Sequence, residues 1–487
     1  MQQDIVAGVA ALWPIIVSVA YVIGAVWVTV DAVLRKRHVP AIIGWVGLAW
    51  LAPILGALAY FLFGINRIRR AASALDLKAE SAAHGVARRV RAGAVPREEF
   101  AARHPGFAGL DRLGEWVTRN PLLDGNRVEP LQDGDAAFPA MLSSIDAART
   151  SVTLATYIFD NDAVGRAFHD ALVRARARGV EVRVLIDDVG ARYTRPTMIR
   201  VLRAAGVPVA AFLPTRVPRL FQYANLRNHR KILVVDGCVG FTGGINIRAG
   251  HWLGRRPAHP VQCLHFRVDG PVVTDMQVAF AIDWAFTTGE GLKGERWFAP
   301  AVNCGPVAVR GVPDGPDADL DNLPQIIVGA LSVATRRARI VTPYFLPDSV
   351  LLRAVQVAAL RGVEVDIVLP GRSNVPLMDW AMKPQLPELI EKGCRIHLAP
   401  PPFDHTKLFV VDGTWSLIGS TNWDARSLRL NFEYNLECYD HDLAARLDAI
   451  IDAKIAAAQP LGLVDLESRA FPARLRDGLA RLLSPYL

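Results

Sequence analysis

The sequence predicts an α/β protein of two similar α/β lobes, related by internal duplication and preceded by an N-terminal two-helix transmembrane hairpin. Three observations carry this prediction. Two long uncharged runs open the chain, a strand–helix–strand phrase occurs twice, and one chemistry-bearing motif occurs twice at matching places. The 487 residues give room for more than one large core. With 51% hydrophobic residues and a mean hydropathy of +0.22, the composition excludes a disordered, collagenous or disulfide-scaffold chain.

Val6 to Val30 carries no formal charge, and neither does Ala41 to Phe63. Each run exceeds the roughly 20 residues that cross a hydrocarbon core. No basic segment precedes the first run and it is too long for a signal peptide. Arg35, Lys36 and Arg37 occupy the joint. Arg67, Arg69 and Arg70 follow the second run, with Lys78, Arg88, Arg89 and Arg91 beyond. The denser cluster places that side, and all that follows, in the cytoplasm. Trp13, Trp27, Trp45, Trp50 and Tyr60 suit interfacial anchors, and Pro14 and Pro53 are tolerated inside such spans.

Residues 1–70 thus form the hairpin, and Ala- and Arg-rich residues 71–125 a helical connector. Residues 126–305 and 306–487 form the lobes, joined where Gly, Pro and Asp cluster. In the first lobe Ser151–Ile158 alternates as a strand, Ala163–Arg178 as an amphipathic helix, and Val180–Ile186 reads as a buried strand. In the second, Arg339–Phe345, Ser349–Leu360 and Val363–Leu369 repeat the phrase. RGVEV occurs at Arg178–Val182 and again at Arg361–Val365, and Tyr157 matches Tyr344. The offset between the copies narrows steadily from the tyrosines to the motif described next, as duplication with loop deletions leaves behind.

That motif is His-x-Lys-x4-Asp. It comprises His229, Lys231 and Asp236 in one lobe and His405, Lys407 and Asp412 in the other. Only eight of the 55 basic residues are lysines, so two lysines placed at the second position after a histidine are informative. On a strand, positions i and i+2 share a face. Asn246 and Asn422 follow their histidines at identical spacing, beside Gly244 and Ser420, small residues that let donors approach a phosphate. A neutral imidazole attacks phosphorus, a second imidazole moves the proton of the leaving or entering alcohol, and lysines and amides hold the phosphoryl oxygens. This chemistry calls for no metal or cofactor. Five widely spaced cysteines without a CxxC suggest reduced thiols rather than a disulfide framework or zinc site. His251, His259 and His265 read as structural. Phe212–Tyr223, with Arg216, Arg219, Leu220 and Phe221, reads equally as a plain surface loop or one that dips into a membrane interface.

These motifs resemble the phospholipase D superfamily. The N-terminal runs, Tyr157–Gly165, Arg227–Lys231, Thr242–Asn246, Thr342–Asp348, Gly419–Ser427, Asn431–Asn435 and the closing RLLSPYL resemble bacterial cardiolipin synthases in particular. The resemblance implies two phospholipase D-like lobes and a multi-pass protein of the bacterial inner membrane. It also implies a phosphatidyltransferase: one phosphatidylglycerol passes its phosphatidyl group to a histidine, and a second accepts it to give cardiolipin and glycerol. His229 maps to the nucleophile and His405 to the general acid and base. Lys231, Lys407, Asn246 and Asn422 map to phosphate contacts, and Asp236 and Asp412 to structural supports. The alternative is a phospholipase D-type hydrolase, or a transferase using a different acceptor alcohol.

A nuclease of the same superfamily is a further alternative. The net charge of +8 permits it. The apolar runs favour anionic membrane lipids as partners and no nucleic acid. Oligomeric state is left open. One departure from the family pattern stands out: Cys263 occupies the place where the resemblance implies an aspartate that orients His229, whereas Glu433 fits as the partner of His405. The expectation is therefore that only His405 has a carboxylate behind it.

Overall fold

The computed structural model describes residues 2–35, 39–52, 54–61, 94–214, 226–316 and 319–484. The basic residues at 36–37 and 67–91, residues 71–93 of the connector and the segment from Arg216 to Tyr223 lie outside the described residues.

At the N-terminus, Gln2–Arg35 forms one helix despite Pro14. Its stretch Leu12–Arg35 is long and apolar enough to cross a membrane, the one such helix among the described residues. The second apolar run differs from expectation. It forms a helix of 13 residues, Val39–Leu51, and a separate turn, Leu55–Ala59. A helix of that length rises only about 20 Å, short of the ~30 Å hydrocarbon thickness. The sequence reason is Pro53, which has no amide proton for a helical ladder, and Ile54 follows at φ 63°. The two runs pack together through Ala25, Val28, Ala32 and Ala49. The Tyr60 ring meets Trp27 and Trp45 edge-on, and its hydroxyl donates to Asp31 at 2.8 Å.

From Ala94 onward the chain forms a separate body around a 16-stranded sheet. In its first half, strands Ser151–Thr156, Glu181–Asp187 and Val209–Phe212 run parallel. On the other flank of Ser151–Thr156 lie Ile232–Val235, Val239–Gly243 and Leu264–Asp269, each antiparallel to its neighbour. The second half repeats the order with Arg337–Val341, Glu364–Pro370 and Arg395–Ala399, then Leu408–Val411, Trp415–Gly419 and Asn431–Tyr439. Strands Leu123–Gln132 and Val307–Asp314 pair with each other and join the halves edge to edge.

The crossover helices begin alike. Asp162 accepts from the amides of Val164 and Gly165, and Asp348 from those of Val350 and Leu351. Alternating residues of the strands fill one core around Leu154, Phe168 and Val184 and another around Ile340, Val355 and Phe409. The run expected as one strand, Arg339–Phe345, divides into Arg337–Val341 and a short strand Phe345–Leu346. Pro343 lacks the donor a continuous ladder needs. The described part of the connector holds helices Arg97–Arg103 and Ala108–Thr118, whose Phe100 and Leu110 pack into the second core.

Candidate active site

Each motif histidine follows a short strand that pairs with the other half of the body. Arg227–Asn228 runs parallel to Asn431–Phe432, and Phe403–Asp404 parallel to Val261–Gln262. The amide of His229 donates to Phe432 O at 2.9 Å, and that of His405 to Gln262 O at 2.8 Å. This cross-pairing brings the two imidazoles face to edge, with ring centroids 6.4 Å apart. The lysines repeat one geometry: Lys231 Nζ donates to His229 O at 2.9 Å and Lys407 Nζ to His405 O at 2.7 Å. The Tyr157 ring lies 5.2 Å from His229, and Tyr344 6.5 Å from His405.

The carboxylate assignment implied by the resemblance is corrected. Glu433 bonds His229, not His405: its oxygens lie 2.9 and 3.0 Å from His229 Nδ1. Ser420 Oγ and Asn431 Nδ2 also donate to Glu433, at 2.5 and 3.2 Å. His405 has a backbone partner instead, with Nδ1 3.0 Å from Gly244 O. A carbonyl only accepts, so neutral His405 carries its proton on Nδ1 and a lone pair on Nε2. The Cys263 thiol donates to His405 O at 3.3 Å.

Strand register explains the exchange. Gly243 pairs with His265 and Gly419 with Asn435, so Cys263 is the counterpart of Glu433, each at the second position before its paired residue. Counted from the histidines the two spacings differ, because the loop after Asn246 is longer than the one after Asn422. Gly244 is likewise the counterpart of Ser420. A Cβ at Gly244 would lie 2.5 Å from Cys263 Sγ and 2.9 Å from His405 O, so the bare glycine and the thiol fill that space together.

Gly244 and Ser420 are also corrected as phosphate donors. Their amides are committed to Leu264 O at 3.0 Å and Tyr434 O at 3.1 Å, and the Ser420 hydroxyl to Glu433. Both instead orient the histidines. Asn246 and Asn422 are buried. Asn246 Oδ1 faces the amide of Ile158 at 3.4 Å, and Asn422 Nδ2 donates to Ser427 at 3.0 Å. Asp236 accepts from the amides of Arg149, Thr150 and Ser151, and Asp412 from those of Thr335, Arg336 and Arg337. Both sit at positive φ, 52° and 53°, in the turn that closes each motif hairpin.

Burial dominates the electrostatics. It pushes both histidines well below their ordinary range, against Glu433 for His229 and reinforced by Lys407 and Lys231 for His405. It pushes Lys231 down to about 7 and Lys407 to about 8. Burial opposes ionisation of Glu433, but His229, Lys231 and Ser420 outweigh it and hold the carboxyl below the usual range. Burial raises the Cys263 thiol to about 12, so it stays protonated. The resting site thus holds neutral imidazoles, one carboxylate and two lysines whose charge is only weakly supported until an anion arrives.

His251, set aside from sequence as structural, lies with its ring 6.3 Å from His405, and its buried Nδ1 has no hydrogen-bond partner. No pattern in the sequence marks Arg230. Its guanidinium spans the halves, donating to Glu433 O at 3.0 Å and Asp283 at 2.9 Å.

Two opposed imidazoles, flanked by two lysines, define a phosphoryl-transfer site of the phospholipase D kind. The family described as cardiolipin synthase, PLD-like domain, matches residues 141–262 and 327–455. A cardiolipin synthase of Geobacillus thermodenitrificans is 32% identical over 457 residues, covering 93% of this chain and 90% of that protein. The major cardiolipin synthase ClsA of Bacillus subtilis is 28% identical over 97% of this chain and 99% of its own. Among solved structures, phosphatidylserine synthase of Haemophilus influenzae Rd KW20 superposes with a TM-score of 0.61. It is 16% identical, with 78% of this chain and all (100%) of that one covered, and shares the fold. The chain belongs to the cardiolipin synthase family with PLD-like domains.

Proposed function

We propose that this phosphatidyltransferase joins two phosphatidylglycerol molecules into cardiolipin and glycerol, with residues 126–305 and 306–487 as duplicated lobes each supplying half a site. The observation that carries the reading is the pair of opposed histidines, of which His229 alone has a carboxylate behind it. His229 Nε2 attacks phosphorus. The P–O bond to glycerol breaks, and His405 Nε2, protonated as the anionic headgroup offsets the lysine charge, gives its proton to the leaving alkoxide. Glu433 stabilises the cationic phosphohistidine. His405 Nε2 then takes the proton of the second lipid's terminal hydroxyl, whose oxygen displaces His229. Lys231, Lys407 and the amides of Asn246 and Asn422 hold the phosphoryl oxygens.

The helix Gln2–Arg35 supports anchoring in the bacterial cell membrane, with the body on the cytoplasmic side. A two-pass topology further requires residues 39–63 to return through the bilayer, which cysteine accessibility from each side decides. For the reaction, purified full-length protein is incubated with phosphatidylglycerol liposomes and the lipids are identified by mass spectrometry. Cardiolipin with equimolar glycerol, abolished in His229→Ala and His405→Ala, supports the reading. Phosphatidic acid as the main product makes water the acceptor and overturns it.

A further inference from the structure

The last helix, Phe471–Arg481, is amphipathic in an unusual sense: its apolar stripe faces away from the protein. At 100° per residue, Phe471, Leu475, Leu479, Leu482 and Leu483 fall on one side. They are 74%, 51%, 57%, 73% and 47% exposed. The opposite side is anchored. Asp477 and Ala480 are buried, and Ala480 packs with Ala381 and Leu346. Arg476 stacks over the Trp380 ring at 4.4 Å and pairs with Asp477 at 2.8 Å. The stripe is therefore presented on a fixed support. Val375, at the start of the supporting helix Pro376–Met382, is also exposed.

The chemistry of the partner follows from the flanks. Arg474 and Arg481 are exposed along one border of the stripe, and Arg476 lies on the other. An apolar face bordered by arginines suits the boundary between acyl chains and anionic headgroups. A second copy of this chain fits less well, since an isologous contact brings each arginine border toward its own equivalent. The support leads to the site: Leu346 follows closely on Tyr344, whose ring faces His405.

We propose that residues 471–483 lie flat on an anionic phospholipid bilayer and bring the His405 half-site to headgroup height. The proposal rests on the lipid substrate assigned above and adds the surface that reaches it.

The test uses the full-length protein reconstituted in phosphatidylglycerol-containing vesicles. Leu475→Ser with Leu479→Ser is compared with wild type on two substrates, vesicle phosphatidylglycerol and a short-chain phosphatidylglycerol below its micellar concentration. The expected result is a ~10-fold rise in KM on vesicles with turnover of the monomeric lipid unchanged, which also shows that the variant is folded. Arg474→Gln with Arg481→Gln, which removes no packing, raises the vesicle KM at low salt and converges on wild type at high salt. In wild type, hydrogen exchange of residues 471–484 slows on phosphatidylglycerol vesicles relative to phosphatidylcholine.

Unchanged vesicle KM in both variants, or no added protection in wild type, overturns the proposal. So does loss of a dimer with vesicle kinetics intact, which makes a second copy the occupant. If wild type makes no cardiolipin from either lipid, the functional reading fails, while the exchange result still decides the docking.

Discussion

Glu433 and His229 meet across the two halves of the body, with Glu433 on the strand Asn431–Tyr439 and His229 at the end of a short strand paired beside it. The acid of one half thus supports the histidine of the other, the one proposed above as nucleophile. Neither half contains a complete catalytic unit, because the pairing exists only where the two are docked. The counterpart position is Cys263, so His405 rests on the Gly244 carbonyl and the site is chemically unequal.

Glu433→Gln removes the charge but keeps the shape. The amide cannot stabilise a cationic phosphohistidine, so kcat falls ~10⁴-fold by analogy with triad carboxylates. Single-turnover kinetics with trapping of the phosphohistidine measures the first step. Wild-type formation of that intermediate in the variant refutes the assignment of His229 as nucleophile.

Cys263→Asp places a carboxylate behind His405, where only a neutral thiol stands. An adjacent anion favours the imidazolium, so the pKa of His405 rises and its base-limited limb of kcat moves up by about one pH unit or more. Cys263→Ser leaves that limb in place. A pH–rate profile of both variants checks this; identical profiles for Asp and wild type place the limb on another group.

Lys231 is buried with its pKa pushed down to about 7, against 10.5 when free. Because the folded value lies below the unfolded one, the charged lysine destabilises the empty protein below pH 7, and the penalty fades as pH rises toward 10.5. Lys231→Met therefore abolishes activity and stabilises the ligand-free protein, by up to a few kcal/mol below pH 7. Calorimetry from pH 6 to pH 9 should show the gain shrinking with pH; a gain that grows contradicts the sign.

Asp236→Asn tests the turn below the motif. The carboxylate receives three amides, and Asn tolerates the positive φ, so the substitution isolates the lost charge. Although burial opposes ionisation, these amides hold Asp236 below its ordinary pKa. Its contribution is complete above the unfolded value of 3.8 and is lost as pH falls through the folded one. A loss of about 1–2 kcal/mol at neutral pH is expected, with activity per folded molecule retained. Lost turnover at an unchanged Tm gives Asp236 a part in the chemistry.

Much of this protein was written locally. The doubled His-x-Lys-x4-Asp with its asparagines, the strand–helix–strand phrases, and the apolar helix near the N-terminus are read from short-range pattern. Side-chain periodicity depends on neighbours a few positions away. What only the tertiary structure decided is which residue meets which. Glu433 comes soon after His405 in the chain yet bonds the far more distant His229, because a hydrogen-bonded strand and not chain distance sets its place. Gly244 and Ser420 read as phosphate donors until strand pairing took their amides. The second apolar run read as one span by composition, which does not weigh the place of Pro53 in the sequence between Val39–Leu51 and Leu55–Ala59. Composition and spacing report the groups present, whereas the partner of a buried group is fixed by the register and packing of the elements that enclose it.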